Sequence, residues 1–313
     1  MRLICADYES YFDNDFTLSK LSTEHYVRDP RFEIHGIAVK WSSSHAAKWY
    51  TRKEWEFVSA QENWSDVCMV HHHQQFDGLI SSHHYAIHPA MLGCTLSMAR
   101  LLLGNHLSVS LDSVRAQFGL PPKTTPYSIF RGKHWHELTP HEQQLVADGA
   151  CDEVESIFKI FGMLLPSFPR EELETIDITM KMFTEPVLRA DVDMLAKVWE
   201  REDANKRERM AALDVSAGDL QSADRFADLL RAAGVEPEKK PGKPNADGSE
   251  KLIYAFAKND DFMRDLLEDE DEHVRSLVEA RLGVKSTALQ TRAETLGYMA
   301  GRGNLCVYLR MYG

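Results

Sequence analysis

The chain opens on a short apolar run, Arg2-Leu3-Ile4-Cys5-Ala6-Asp7, which predicts a strand. Phe32 to Trp41 alternates apolar and polar positions and predicts a second, and Trp64 to Val70 reads as a third, ahead of the histidine-rich turn His71-His72-His73. From Asp77 the pattern turns helical, and strand and helix pieces mix up to about Leu165. After residue 185 strand signals nearly vanish. Val187 to Leu213 is long, charged and helix-friendly, with Val192, Leu195, Val198 and Met210 near helical spacing. A helix from Ser222 to Gly234 follows, with Phe226, Leu229 and Leu230 as its apolar stripe, and two more lie near 259–268 and 271–282. Between them Glu236 to Gly248, rich in Pro, Gly and Lys, reads as a solvated loop. The closing run, Asn304 to Tyr312, reads as a strand. The pattern predicts an α/β layer fold over residues 1–185 and a mainly helical domain over 186–313.

Composition narrows the class without choosing a function. Hydrophobic content of 43% and charged content of 27% fit an ordinary globular chain. No stretch approaches the roughly 20 apolar residues of a membrane helix, so no membrane partner is expected. Five cysteines, an odd count with no CxxC pair, predict neither a disulfide framework nor a zinc knuckle, and point to a reduced, cytoplasmic setting. The net charge of −12 argues against a non-specific grip on duplex DNA. A nuclease that gathers cations with carboxylates is the exception, because its acids sit where the metal must bind.

Three acidic features suggest that exception. Asp7 and Glu9 end the first strand, and residues two apart on a strand project from one face. Two carboxylates so close are unfavourable unless a cation lies between them. Asp77 follows Phe76 where a helix begins, which is also what a helix cap does. Asp152 lies on a predicted helix with Asp148 and Glu155 on its side, which is equally the description of a solvated face. Taken together they match the need of two-metal phosphodiester hydrolysis for several carboxylates arriving from separate elements. Mg²⁺ and Mn²⁺ take oxygen ligands, so Asp and Glu are the right residue types.

In order and spacing, the DxE at Asp7 and Glu9, the Phe76-Asp77 pair and the late acid Asp152 resemble the DEDD exonuclease superfamily, in particular the proofreading domain of phage-type family A DNA polymerases. Further segments resemble the same family: Asp29-Pro30-Arg31-Phe32-Glu33-Ile34, Thr95 to Arg100 with Ser110-Leu111-Asp112, Glu279 to Thr287, and Leu305 to Gly313. The resemblance implies a ribonuclease-H-like α/β exonuclease domain, a mixed sheet flanked by helices, and then a helical, thumb-like segment. It implies two Mg²⁺ or Mn²⁺ ions on Asp7, Glu9, Asp77 and Asp152, with Asp148 as a weaker participant. Four positions depart from the family pattern. Asp148 stands where a water-orienting tyrosine is usual, Ala147 where a variant carries histidine, His73 where Asn often precedes the FD pair, and Cys94 where an aspartate is expected.

The implied substrate is a frayed or single-stranded DNA 3′ end on a primer–template, released as deoxynucleoside monophosphates. Tyr8, His73 and Phe76, with Tyr11 and Phe12, are candidates to stack on or line the path of the unpaired end. Arg281, Lys285, Ser286 and Arg292 are candidates for phosphate contacts from the thumb-like segment. No fingers or palm follow Gly313, so the expectation is a split polymerase whose second polypeptide carries them, in a phage-infected bacterial cell. Two alternatives stand beside it: a self-sufficient nuclease acting on DNA or RNA ends, and a structural subunit whose nuclease site has decayed.

Overall fold

The protein is described here by a computed structural model, covering residues 1–104, 106–245 and 248–311. It divides into two compact units. The first is Met1–Arg189 together with the chain from Arg302 onward, and the second is Ala190–Gly301. The chain thus leaves the first unit just beyond the expected residue 185, and its tail returns there.

The first unit is built on a five-stranded sheet of β1 (Arg2–Ser10), β2 (Ile34–Lys40), β3 (Lys48–Thr51), β4 (Val67–His71) and β5 (Met91–Cys94), in the order β3-β2-β1-β4-β5. β2 runs antiparallel to both β1 and β3, whereas β4 is parallel to β1 and β5 parallel to β4. This mixed, helix-flanked arrangement is the ribonuclease-H-like fold. β1 lies at the centre, and every residue of β2 and β4 is buried, as strands covered on both faces must be. Around the sheet lie α1 (Thr23–Arg28), α2 (Arg52–Ser59), α3 (Gln74–Tyr85), α4 (Thr95–Leu103), α5 (Leu111–Gln117), α6 (Pro140–Leu164) and α7 (Arg170–Thr184). The long α6 starts decisively, with a capping box of Thr139 and Glu142 and Pro140 in its first turn. Its buried stripe, Val146, Gly149, Ala150, Glu153, Val154, Ile157, Ile160, Phe161 and Leu164, follows the helical repeat.

The second unit contains α8 (Val192–Ala212), α9 (Ala217–Gln221), α10 (Ala223–Ala232), a hairpin of β6 (Lys239–Pro241) and β7 (Leu252–Tyr254), then α11 (Asp261–Leu267), α12 (Glu272–Lys285) and α13 (Ala288–Gly301). Its own core gathers Leu220, Phe226, Leu230, Met263, Leu277 and Val278. One expectation fails here: the supposed loop from Glu236 pairs as a hairpin, although Ala246 and Asp247 lie outside the described residues; α13 occupies a stretch for which the pattern predicted no element.

The expected C-terminal strand is also absent, among the described residues. Leu305 makes one bridge, donating its N–H to Leu188 O at 2.8 Å, and the chain then runs on without regular structure; Tyr312 and Gly313 lie outside the described residues. The tail is instead held by side chains. Glu24, fully buried on α1, accepts two hydrogen bonds from Arg302, at 2.9 and 2.7 Å. Gln75 donates to Leu309 O at 2.9 Å, and Tyr308 packs edge-on against Phe183.

Candidate functional site

β1 carries Asp7 and Glu9 off one face, half-buried, while Ile4, Ala6 and Tyr8 fill the other. Asp77 comes from the first turn of α3, 2% exposed, and its carboxylate accepts the Tyr8 backbone N–H at 3.1 Å, which locks that turn against β1. Gly78 lets the helix seat: a Cβ there would lie 2.3 Å from Gln74 Nε2 and 2.9 Å from Thr184 Cγ2.

The fourth acid facing this group is Glu153 of α6, 6% exposed. Asp152 is not part of it. Its side chain is half exposed and paired with the Arg115 guanidinium at 2.8 Å, off the buried stripe of α6. Asp148 is exposed, accepts a hydrogen bond from Gln144 at 2.8 Å, and stays outside the cluster too. The physical reason is one residue of helical phase, about 100°. Glu153 falls on the stripe that alternates every three or four residues with Val146, Gly149 and Ala150, and Asp152 falls beside it. That stripe was visible in the sequence and is the signal that could have selected Glu153.

The electrostatics follow from crowding. Burial, then Asp77, Glu153 and Glu9, push the Asp7 carboxyl well above its ordinary value. Burial and Glu153 push Glu9 up, and the same two influences raise Asp77, against the pull of the Tyr8 N–H. Asp7, Glu9 and Asp77 therefore resist ionising while their neighbours are charged, the condition that a bound cation relieves. Two side chains from the segment between α5 and α6 also arrive. The Lys123 ammonium pairs with Glu153 at 2.6 Å. The Tyr127 hydroxyl is buried, interacts with Glu9, and lies 2.9 Å from where a Cβ on Gly149 would stand. Counting four back from Glu153 lands on Gly149, so the helix offers no tyrosine there and Tyr127 fills the space from outside it.

As for a metal, among the described residues no group of three or more His, Cys, Asp or Glu side chains is placed so as to hold an ion as it stands. The donor chemistry nevertheless fits a hard divalent cation: four carboxylates, no sulfur, and mutual repulsion for a cation to neutralise. The histidines do not offer a competing site. His71 is hydrogen-bonded to Gln74 at 2.7 Å, and His72 to Thr95 at 2.9 Å and Val109 O at 3.0 Å.

Other expected contacts are displaced. Tyr8 is 3% exposed, with its hydroxyl bonded by Trp55 at 2.9 Å and Ser81 at 3.1 Å, so its ring is core and no base can stack on it. Phe76 is half-buried against Tyr26 and His73, and His73 starts α3 with its imidazole held neutral by burial. Tyr11 stacks on His134 with centroids 4.2 Å apart. Arg281 is 2% exposed and donates to Leu220 O at 2.6 Å and Ser222 O at 3.1 Å, which removes it from any phosphate. Lys285 and Arg292 are exposed, and Ser286 accepts at its carbonyl from Lys206 at 2.8 Å. No helix among the described residues is long and apolar enough to cross a membrane.

No family model matches the sequence, and no curated protein matches it either. Solved structures do resemble the fold. The POL domain of Pol1 from M. smegmatis, in complex with DNA primer-template and dNTP, superposes on 94% of this chain with TM-score 0.51 and 10% identity. This chain spans 45% of that one. The catalytic core of RRP6 from Trypanosoma brucei covers 97% of this chain and 75% of its own at TM-score 0.40 and 11% identity. What the chain shares with the polymerase domain is a fold.

Proposed function

We propose that the chain is a divalent-metal-dependent 3′–5′ exonuclease acting on DNA ends, and that Asp7, Glu9, Asp77 and Glu153 are its metal-holding acids. The observation that carries this reading is the approach of four carboxylates from β1, α3 and α6 to one another, close enough that burial and neighbouring acids hold the Asp7, Glu9 and Asp77 carboxyls above their ordinary range. When bound there, divalent ions supply Lewis-acid activation of water and stabilise the leaving 3′ oxygen. The chain's own part is to hold the acids on rigid elements: Asp77 by the Tyr8 N–H, Glu153 by the packed stripe of α6. Tyr127, beside Glu9, is the hydroxyl available to orient a water.

The likeness in fold to a polymerase domain over most of the chain supports a place beside polymerisation, with residues 190–301, rather than the expected 186–313, as a thumb-like segment and a second polypeptide supplying fingers and palm. Proofreading of a frayed primer end, in the cytoplasm, is the role this implies. A second reading, a structural subunit with a decayed site, is favoured by one observation, the Lys123–Glu153 pair inside the cluster.

A 5′-labelled single strand, incubated with Mg²⁺ or Mn²⁺, separates them. The exonuclease reading expects a ladder shortening from the 3′ end, reduced by about 100-fold or more in Asp77→Asn and Glu153→Gln. Asp152→Asn should stay within about threefold of wild type, because its half-exposed pair with Arg115 lies outside the cluster. No cleavage by the wild type with either ion sinks the reading, and equal loss in Asp152→Asn and Glu153→Gln sinks the assignment of the fourth acid.

A further inference from the structure

The segment between α5 and α6 is anchored so as to deliver one cation. Arg115 of α5, 1% exposed, donates to Pro121 O at 2.5 Å and to the Asp152 carboxylate at 2.8 Å, which cross-links α5, the loop and α6. Pro121 and Pro122 follow with their φ angles fixed by their rings, and the next residue is Lys123. Its backbone N–H points to Asp112 Oδ1 at 3.4 Å and its side chain turns into the acids. The hold on the segment rests mainly on Arg115 itself, which is buried and bonded to Pro121 O, whereas its pair with Asp152 is half exposed. Among the described residues, Lys123 is the one basic side chain paired with any of Asp7, Glu9, Asp77 or Glu153.

The two partners differ in their access to water. The Glu153 side chain is 8% exposed, whereas that of Lys123 is 27% exposed. Lysine carries a compact point charge on a flexible stem, without the forked geometry that ties arginine to a carboxylate. Its head can leave Glu153 for solvent while the loop stays anchored at Arg115.

We propose that the Lys123 ammonium is the resident counter-cation of the carboxylate cluster, occupying the position beside Glu153 that a divalent ion takes, so that metal loading is a competition between the ion and this lysine. The inference rests on the reading of Asp7, Glu9, Asp77 and Glu153 as a metal site. One ammonium neutralises a single charge of the four carboxylates, so the metal-free cluster stays strained and ready for a stronger cation. The Tyr127 hydroxyl, beside Glu9, is carried by the same segment.

The test uses the full chain, stripped with EDTA, as wild type, Lys123→Met and Lys123→Arg. Mn²⁺ affinity is measured by titration calorimetry, and metal-free stability by urea denaturation. Lys123→Met is expected to bind Mn²⁺ at least about tenfold more tightly, because a positive charge no longer opposes the ion at close range. Its metal-free urea midpoint should fall, and Mn²⁺ should restore it. Lys123→Arg should stay within about threefold of wild type. If Lys123→Met does not fold, Lys123→Gln carries the same comparison, keeping a donor to Glu153 without the charge. Equal Mn²⁺ affinity in the wild type and the neutral variant overturns the competition alone. No Mn²⁺ uptake by either protein overturns the metal reading itself, and the competition with it.

Discussion

Arg281→Met is the substitution whose consequence can be worked furthest. Arg281 lies on α12, 2% exposed, with its guanidinium between the rings of Phe226 and Phe256 at 4.4 and 4.8 Å. It donates to the carbonyls of Leu220 and Ser222 at the C-terminal end of α9; Ser222 O also accepts the Phe226 N–H at 3.2 Å, so it is the Leu220 carbonyl that depends on Arg281. Two hydrogen bonds from a charged donor contribute about 1.5–3 kcal/mol each, and the ring contacts roughly 1 kcal/mol more. Against this, burial lowers the guanidinium pKa to about 10, a desolvation cost of roughly 3 kcal/mol at most that the variant recovers. Methionine keeps the volume and its sulfur can contact the rings, but it leaves the Leu220 carbonyl without this donor, a loss already contained in the bond that is removed. The net expectation is a loss of about 1–4 kcal/mol. Urea denaturation followed by circular dichroism should show a lower midpoint, and hydrogen exchange should quicken in 217–232 and 272–285. The reasoning is refuted if the midpoint and exchange are unchanged while DNA binding weakens with a shallower salt dependence, the behaviour of a phosphate contact.

Other outcomes follow from the same structure. Gly149→Ala places a methyl 2.4 Å from Thr125 Oγ1 and 2.9 Å from the Tyr127 hydroxyl, so the loop must shift; nuclease activity should drop about tenfold or more with a smaller change in thermal midpoint, and unchanged activity would show that this loop is no part of the site. Tyr127→Phe removes the hydroxyl beside Glu9 and should lower kcat by about 10- to 100-fold at nearly constant KM, as measured on labelled single strands; a rise in KM alone would make it a binding residue. His35 is 4% exposed, its Nε2 has no partner, and burial lowers its pKa to about 4. Below pH 6.5 the unfolded chain gains a proton there that the native state refuses, so wild type should lose stability relative to His35→Phe as the pH falls from about 6.5 to 4, by up to on the order of 3 kcal/mol. A difference between the two proteins that does not change with pH contradicts this.

The first unit was legible because its signals are local and redundant. The apolar run of β1 ends in Asp7 and Glu9, the alternation of β2 is plain, and Asp77 stands at the start of α3, so three of the clustered acids were marked by strand ends and a helix start. The fourth was missed by one residue. Motif spacing favoured Asp152, whereas the buried period of α6 favours Glu153, and the period decides which side chain faces the sheet. Lys123 and Tyr127 were invisible, because a Pro- and Thr-rich stretch carries no periodic sign of where it folds back. Tyr8 and Arg281 illustrate the opposite error. An aromatic beside the acids and a cation on a helix both read as ligand contacts, yet the sheet's pleat turns Tyr8 inward and two phenylalanines enclose Arg281. The hairpin of β6 and β7 was lost because its strands are three residues long and β6 is Lys-Lys-Pro.

The bridge between Leu188 and Leu305 has a topological meaning. The chain exits the first unit and re-enters it at two points that are hydrogen-bonded to each other, so Ala190–Gly301 is an insertion looped out of a closed neck. An insertion with adjoining ends does not stretch its host when it opens. Residues 190–301 can therefore fray or unfold without drawing the tail off Glu24, and a short linker across the neck would leave the tail's contacts with the first unit intact.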